Sequence, residues 1–302
     1  MSNILNKNTL KDRVIQISKN TDLTLESKPS TIKIELTGRC TLDCRFCNHY
    51  AMKKNNIRQK MMSVYDFNII LNNIVHIPSI QEVGLFYMGE SALHPHLQLF
   101  YRELKNNGYF TYLTTNASMI DNILKALPYI DSLKVSWNYK NVDDFIEKTR
   151  SSSGVYQNII QNIHVLDEEC KKLNKVLTLS TIMDSSKDEY DKVLKQFKSI
   201  DHYWLPLQTQ CGNNKIGIGG VSGELEHMVT SIPCWSLFKG IYIDVDLNVR
   251  MCCYGHHDYH IIGSLMNAEL STLLNNPRLL RIKMQHLSGE IPKECNKCLN
   301  GN

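Results

Sequence analysis

Ten cysteines are spread unevenly along the 302 residues. Cys40, Cys44 and Cys47 form a CxxxCxxC loop near one end. Cys234, Cys252, Cys253, Cys295 and Cys298 crowd the other end, with Cys170 and Cys211 between. Clustered thiols in a reducing compartment read as metal ligands, not as a disulfide framework, which makes the cytoplasm the expected location. Three thiolates on one loop wrap one face of a metal site and leave another face open. Structural zinc prefers four protein ligands. A 4Fe–4S cluster with three protein thiolates keeps one iron free for an outside ligand. Zinc, and three buried thiols without metal, are the competing readings.

The second group closes its site. Cys234, Cys252, Cys295 and Cys298 stand at intervals of 18, 43 and 3, and four thiolates suit zinc or a fully ligated 4Fe–4S cluster. Cys253 adjoins Cys252 on an expected strand, so the two side chains point to opposite faces; Cys252 is taken as the ligand. Cys170 lies on a helical pattern and reads as core. His256, His257 and His260 read as a polar loop, since the cysteines already complete a site.

These residues need elements to position them. Ile32-Lys33-Ile34-Glu35-Leu36 alternates like a strand and directly precedes the first cysteine loop. Ser63 with Asp66 opens a helix as a capping-box variant. Strands are expected at Val83–Tyr87, Tyr109–Thr114, Ser132–Ser136, Val176–Ile182 and Tyr203–Leu207. Helices are expected at His96–Asn107, Met119–Leu127, Val155–Leu173 and Ser186–Lys198. About six strand–helix units without hairpins imply parallel strands with helical crossovers, in an open α/β layer or an α/β barrel short of the usual eight units. Ligands in such folds gather at the carboxyl ends of strands, where the Cys40–Cys47 loop falls. Beyond residue 211 the character changes: Gly212, Gly217, Gly219, Gly220 and Gly223 crowd one stretch. A hairpin about Asp246-Leu247 and two short helices near Leu270–Asn275 and Arg278–His286 follow. Residues 1–30 read as an extension in which Thr9 caps a short helix.

With Phe46 before its third cysteine, the loop resembles the CxxxCxΦC hallmark of the radical S-adenosylmethionine (SAM) enzymes. In that family SAM chelates the open iron, and an electron from the cluster splits it to methionine and a 5′-deoxyadenosyl radical. Tyr87-Met88-Gly89-Glu90 resembles the family's GGE segment at the methionine amino group, with Met88 replacing the first glycine. The resemblance also implies SAM contacts for Asn116 and Ser136 at strand ends, and for Arg150 in EKTRSSSGVYQNIIQNI. His94 and His96 fall in a leucine–histidine–proline turn. The order of residues from Cys234 to Cys298 resembles the C-terminal half of SPASM domains, in the shortened twitch form with one auxiliary cluster. The fold so implied is α/β: a partial (β/α)6 barrel over 31–210 and a small β-hairpin-plus-helix auxiliary-cluster domain over 211–302.

The implied cofactors are SAM and two 4Fe–4S clusters, with a reductant such as flavodoxin or ferredoxin as partner. The expected reaction removes a hydrogen from a carbon of a sugar, cyclitol or nucleotide-linked substrate. If the auxiliary cluster accepts the second electron the product is oxidised; if a thiol of Cys211 or Cys253 returns a hydrogen atom, the carbon is epimerised. Cys211 also reads as an ordinary semi-buried cysteine, and Cys253 as a buried spare. Ribosomal-peptide modification is a further outcome in the family, although residues 1–30 are too short for a leader-binding domain. A non-catalytic zinc or iron–sulfur interaction module is the reading from another class.

Composition narrows the partners. A net charge of +4 is too small for a nucleic-acid footprint, and no apolar run reaches the length of a spanning helix. The first 60 residues hold 12 Lys/Arg against 5 Asp/Glu. Lys53, Lys54, Arg58 and Lys60 there read as a solvated face, or as an approach for an anionic partner.

Overall fold

Strand-like alternation at six places along the chain assembles into one parallel sheet. The computed structural model describes residues 23–47, 59–183, 187–206, 233–252 and 258–295. The strands are β1 (Thr31–Ile34), β2 (Glu82–Gly84), β3 (Phe110–Thr115), β4 (Ser132–Ser136), β5 (Val176–Met183) and β6 (Asp201–Pro206). They pair parallel in sequence order. β7 (Gly240–Ile243) adds to the free side of β1, also parallel. β8 (Asn248–Arg250) and β9 (Ile261–Ser264) continue the sheet antiparallel. The order is β6-β5-β4-β3-β2-β1-β7-β8-β9, so among the described residues the sheet has two edges and does not close.

Helices fill the crossovers that parallel neighbours require: α1 (Val64–Ile74), α2 (Leu97–Asn106), α3 (Ile120–Ala126), α4 (Val142–Thr149), α5 (Ser153–Lys172) and α6 (Asp191–Leu194). The tail carries α7 (Trp235–Lys239), α8 (Leu270–Leu273) and α9 (Pro277–Ser288). Ser63 caps α1 as expected: its hydroxyl accepts from Asp66 N at 3.0 Å, and the Asp66 carboxylate accepts from Ser63 N. One face of the sheet is apolar. Ile32, Ile34, Val83, Leu113, Leu133 and Val135 are buried in one core with Phe67, Phe100, Ile123 and Ile163 of the helices. The alternate residues, among them Lys33, Thr114, Lys134 and Thr178, occupy the opposite face.

One expected helix is broken, and two elements appear where none was expected. Ser186–Lys198 is not one helix: α6 is flanked by 3₁₀ turns at Lys187–Tyr190 and Lys195–Phe197. α4 and β9 carry no expectation, although Val142, Phe145, Ile146 and Thr149 of α4 stand at helical spacing; each element is short, eight residues and four. α4 starts on its cap instead, with Asn141 Oδ1 accepting from Asp144 N at 2.9 Å. The tail hairpin continues the main sheet through the pairing of β7 with β1. Asp244 builds its turn, accepting from the N–H groups of Asp246 and Asn248 at 3.0 Å each and from Arg250 Nε at 2.8 Å. Cys170 lies in the core on α5, as expected. The Thr9 helix and the glycine-rich stretch after residue 211 lie outside the described residues.

Candidate active site

The Cys40–Cys47 loop leaves the carboxyl end of β1 and is held from three sides. From the β2 side, Gly89 packs its backbone against the loop's entry with φ of +72°. A Cβ there would fall 2.4 Å from Thr37 O and 2.5 Å from Arg39 O, so only glycine fits. The next amide, Glu90 N, donates to Arg39 O at 2.7 Å. The buried Glu90 carboxylate then accepts from Ala92 N at 3.0 Å, Thr115 Oγ1 at 2.8 Å and Asn116 N at 2.8 Å. Burial pushes this carboxyl up, and its three donors pull it back.

From the β3 side, Asn116 Nδ2 donates to Thr41 Oγ1 at 3.0 Å and lies 3.7 Å from Cys40 Sγ. Ser118 Oγ meets the same Thr41 hydroxyl at 2.6 Å. Between them Ala117 sits in the left-handed region with φ of 61°, buried and tied by its own N–H to Thr115 Oγ1. Such strain in a non-glycine residue persists where its surroundings hold it.

From the third side, α4 ends on the loop. Its last carbonyls, which no helical amide can reach, accept from the cysteine loop: Thr149 O from Asp43 N at 3.2 Å and Lys148 O from Arg45 N at 2.9 Å. Arg150 caps α4 with φ of 57°, and its Nη1 lies 3.3 Å from Asp43 Oδ2. Ser136 ends β4, half-buried, in register with Ser180. Phe46 packs against the core. Sequence reasoning missed Tyr139, a buried phenol 3.8 Å from Cys44 Sγ that packs on Trp137 and Phe145. Its position three residues past Ser136 was the available signal. Thr41 and Asp43, inside the motif itself, were also missed as loop anchors.

The three thiols are half-buried. Burial, then the Glu90 carboxylate, pushes Cys40 up to about 12; burial and the other two thiols push Cys44 up as well. Such a group ionises only against a positive partner, as thiolate ligands do when they bind metal and release protons. Among the described residues no three His, Cys, Asp or Glu side chains converge closely enough to hold a metal ion. A multi-iron cluster is wider than one ion, and an all-thiol donor set is the chemistry that suits it.

In the second group, Cys234 is the N-cap of α7, Cys252 follows β8 and Cys295 lies beyond α9, all half-buried. Burial, then the neighbouring Cys234, pushes Cys295 up to about 12, which brings those two together. Cys211, Cys253 and Cys298 lie outside the described residues, as do His256 and His257. Tyr87 links the two regions: its hydroxyl donates to Cys252 O at 3.1 Å. His94 turns inward, with Nε2 2.8 Å from Met62 O, and accepts at Nδ1 from His96 N.

Comparison with known proteins adds to this geometry. Residues 34–199 match the family model described as the Radical SAM superfamily, and residues 234–299 match SPASM, an iron-sulfur cluster-binding domain. A Pyrococcus furiosus protein named tungsten-containing aldehyde ferredoxin oxidoreductase cofactor-modifying protein is 27% identical over 97 residues, 31% of this chain and 26% of that protein's length. Among solved structures, BtrN in complex with AdoMet and 2-DOIA aligns with a TM-score of 0.59 and 12% identity over 92% of this chain and 94% of its own. AdoMet-bound anSMEcpe aligns with a TM-score of 0.64 and 12% identity over 89% and 83%. SuiB of Streptococcus suis, bound to S-adenosylmethionine, gives 0.55 and 12% over 90% and 71%. At these identities the likeness is one of fold: an open, mostly parallel α/β sheet of the partial-barrel kind.

Proposed function

The chain belongs to the radical SAM superfamily, and we propose that it abstracts a hydrogen atom from a carbon of a sugar, cyclitol or nucleotide-linked small molecule, ending in oxidation or epimerisation. S-adenosylmethionine and iron–sulfur clusters are its cofactors. Bound and reduced, they supply one piece of chemistry, the cleavage of SAM to methionine and a 5′-deoxyadenosyl radical. In this reading Cys40, Cys44 and Cys47 hold the SAM-binding cluster, and Cys234, Cys252, Cys295 and Cys298 hold the auxiliary one. Gly89, Glu90 and Asn116 shape the SAM pocket by fixing the turns around the loop. Phe46, Ser136 and Arg150 complete its wall. The domain division follows the same reading, with the core over 31–210 and the auxiliary domain over 211–302.

The observation that carries the small-molecule reading is coverage. BtrN, described with AdoMet and 2-DOIA, shares nearly all of its length with this chain, 94% of one and 92% of the other. Oxidation and epimerisation part at what the chain's own residues do to the substrate. Oxidation needs a basic side chain to take the hydroxyl proton; epimerisation needs a thiol, Cys211 or Cys253, to return a hydrogen atom. The test is anaerobic turnover of cluster-loaded protein with SAM, dithionite and a panel of cyclitols, sugars and nucleotide sugars. Substrate-dependent 5′-deoxyadenosine is the expected result, and a panel that leaves its yield at the substrate-free level sinks the small-molecule reading. Solvent deuterium in the product, lost in Cys211→Ala or Cys253→Ala, assigns epimerisation.

Peptide modification is the second reading. It is favoured by SuiB bound to its precursor peptide SuiA, which aligns over 90% of this chain and 69% of its own, and by anSMEcpe bound to the Cp18Cys peptide. A short precursor-peptide gene beside this one, whose product stimulates SAM cleavage, would establish it.

A further inference from the structure

Two side chains, from the ends of neighbouring strands, reach sulfur atoms of the cysteine loop. Asn116 follows β3, and its Nδ2 stands 3.7 Å from Cys40 Sγ, a hydrogen-bond distance for the large sulfur atom. Tyr139 lies three residues past the end of β4, and its hydroxyl stands 3.8 Å from Cys44 Sγ. Each side chain is held in that direction. Asn116 Oδ1 accepts from Ser118 N at 2.9 Å, which turns the NH2 group of the amide toward Thr41 and Cys40. The Asn116 backbone N–H is fixed on Glu90 Oε2. The Tyr139 ring stands edge-on to Trp137, with centres 5.6 Å apart, and to Phe145, at 4.7 Å. The Tyr139 carbonyl accepts from Trp137 Nε1 at 2.9 Å, and the adjacent Asn138 Oδ1 accepts from Ile182 N at 2.8 Å, which ties the segment to β5.

Tyr139 is what needs explaining. The residue is 2% exposed, and among the described residues Cys44 Sγ is the one partner that its hydroxyl meets. A buried hydroxyl normally finds a strong partner, because leaving water without one is costly. A neutral thiol is a weak acceptor. A thiolate is a good one, since hydrogen bonds to an ionised acceptor are roughly twice as strong as neutral ones. A phenol ionises at about 10, so at neutral pH it keeps its proton and can donate. A thiolate has no proton and can only accept. With the cysteines ionised as metal ligands the direction is therefore fixed: Tyr139 Oη and Asn116 Nδ2 donate, and Cys44 and Cys40 accept.

We propose that Tyr139 and Asn116 are positioning residues for the SAM-binding cluster, donating to the Cys44 and Cys40 thiolates and raising that cluster's reduction potential. Reduction adds one electron, and donors to the sulfurs stabilise the more negative state more than the less negative one. The electron comes from a low-potential one-electron donor such as dithionite, and both side chains keep their protons. This rests on the assignment of Cys40, Cys44 and Cys47 to that cluster.

The test is a potentiometric titration of the cluster-loaded protein with dithionite, followed by electron paramagnetic resonance. The signal that changes when SAM is added reports the SAM-binding cluster, and the signal that does not reports the auxiliary one. At a fixed potential Tyr139→Phe should lower the reduced-to-oxidised ratio of the first at least about threefold, a midpoint shift of roughly 28 mV at about 59 mV per tenfold for one electron. Asn116→Ala should shift it in the same direction. Meta-fluorotyrosine in place of Tyr139, a more acidic donor of nearly the same shape, should raise the midpoint, a sign that a merely structural disturbance does not predict. The auxiliary midpoint must stay unchanged in all of these proteins. The inference is overturned if Tyr139→Phe or Asn116→Ala matches wild type, if the fluorinated ring lowers the midpoint or leaves it in place, or if both midpoints move together. Should Tyr139→Phe fail to take up its clusters, the fluorinated protein decides alone. A wild-type protein with no SAM-responsive signal, or a signal that still responds to SAM after Cys40, Cys44 and Cys47 are all replaced by Ala, overturns the cluster assignment instead.

Discussion

Glu90 and Lys134 are both ionisable groups inside the sheet, and the fold treats them in opposite ways. Glu90 meets three donors and joins the β2 turn to the end of β3. In Glu90→Gln the new amide group must face one of those donors, so a loss of about 1–3 kcal/mol in chemical denaturation is expected, together with less SAM cleavage. Unchanged stability would refute the role assigned to the carboxylate. Lys134 meets no acceptor among the described residues, and burial holds its folded value at about 7, below the ordinary 10.5. Between those values the unfolded chain holds more protons than the folded one, so stability rises with pH across that window. The penalty is fully present below about 7. Lys134→Met should therefore raise Tm by about 2 °C or more near pH 6.5, with the gain shrinking towards pH 10. An equal gain at both pH values would mean the charge is not its source.

At the level of elements, the decisive contacts are those where one element finishes another. α4 is short and buries only Phe145 and Thr149, yet its last carbonyls receive the cysteine loop's amides, and Arg150 at its end meets Asp43 inside that loop. Its pattern is short, with Val142, Phe145, Ile146 and Thr149 at helical spacing, and its Asn141 cap is the second legible sign. The β7–β8 turn works similarly. Asp244 and Arg250 are buried as a pair, with 0% and 3% of their side chains exposed. Asp244→Ala strands the Arg250 charge and should cost about 3–5 kcal/mol, read as a lowered denaturation midpoint. The auxiliary cluster should be lost in parallel, since Cys252 follows β8. A midpoint within error of wild type would show that the pair does not hold the turn.

For the whole molecule, the sheet joins the two cysteine groups. β1 borders both β2 and β7, and Tyr87 donates from the β2 side to Cys252 O. In the proposed reading the two clusters have separate ligands, so replacing Cys40, Cys44 and Cys47 together by Ala should lower iron from about eight to about four per chain. The spectrum of the remaining cluster should then not respond to SAM. Loss of all iron would mean that the second site depends on the first.

The amino-acid sequence by itself determined what is local. The CxxxCxxC loop, its place after the first strand, the Ser63 cap and the alternation along β1 and β4 depend on neighbours a few residues apart. They were enough to place the chain in its superfamily and to propose ligands for its clusters. Only the tertiary structure decided which distant residues share a space. Tyr139 comes to Cys44 because β4 ends beside β1's loop across the top of the sheet. Lys33 and Lys134 lie on one face of the sheet, on strands separated by two others, because the register sets them there. Alternation shows that a residue alternates in facing; it does not show what the other strands bring to meet it. That is why the cofactor chemistry was readable along the chain, while the partners that meet across the sheet emerged only from the fold.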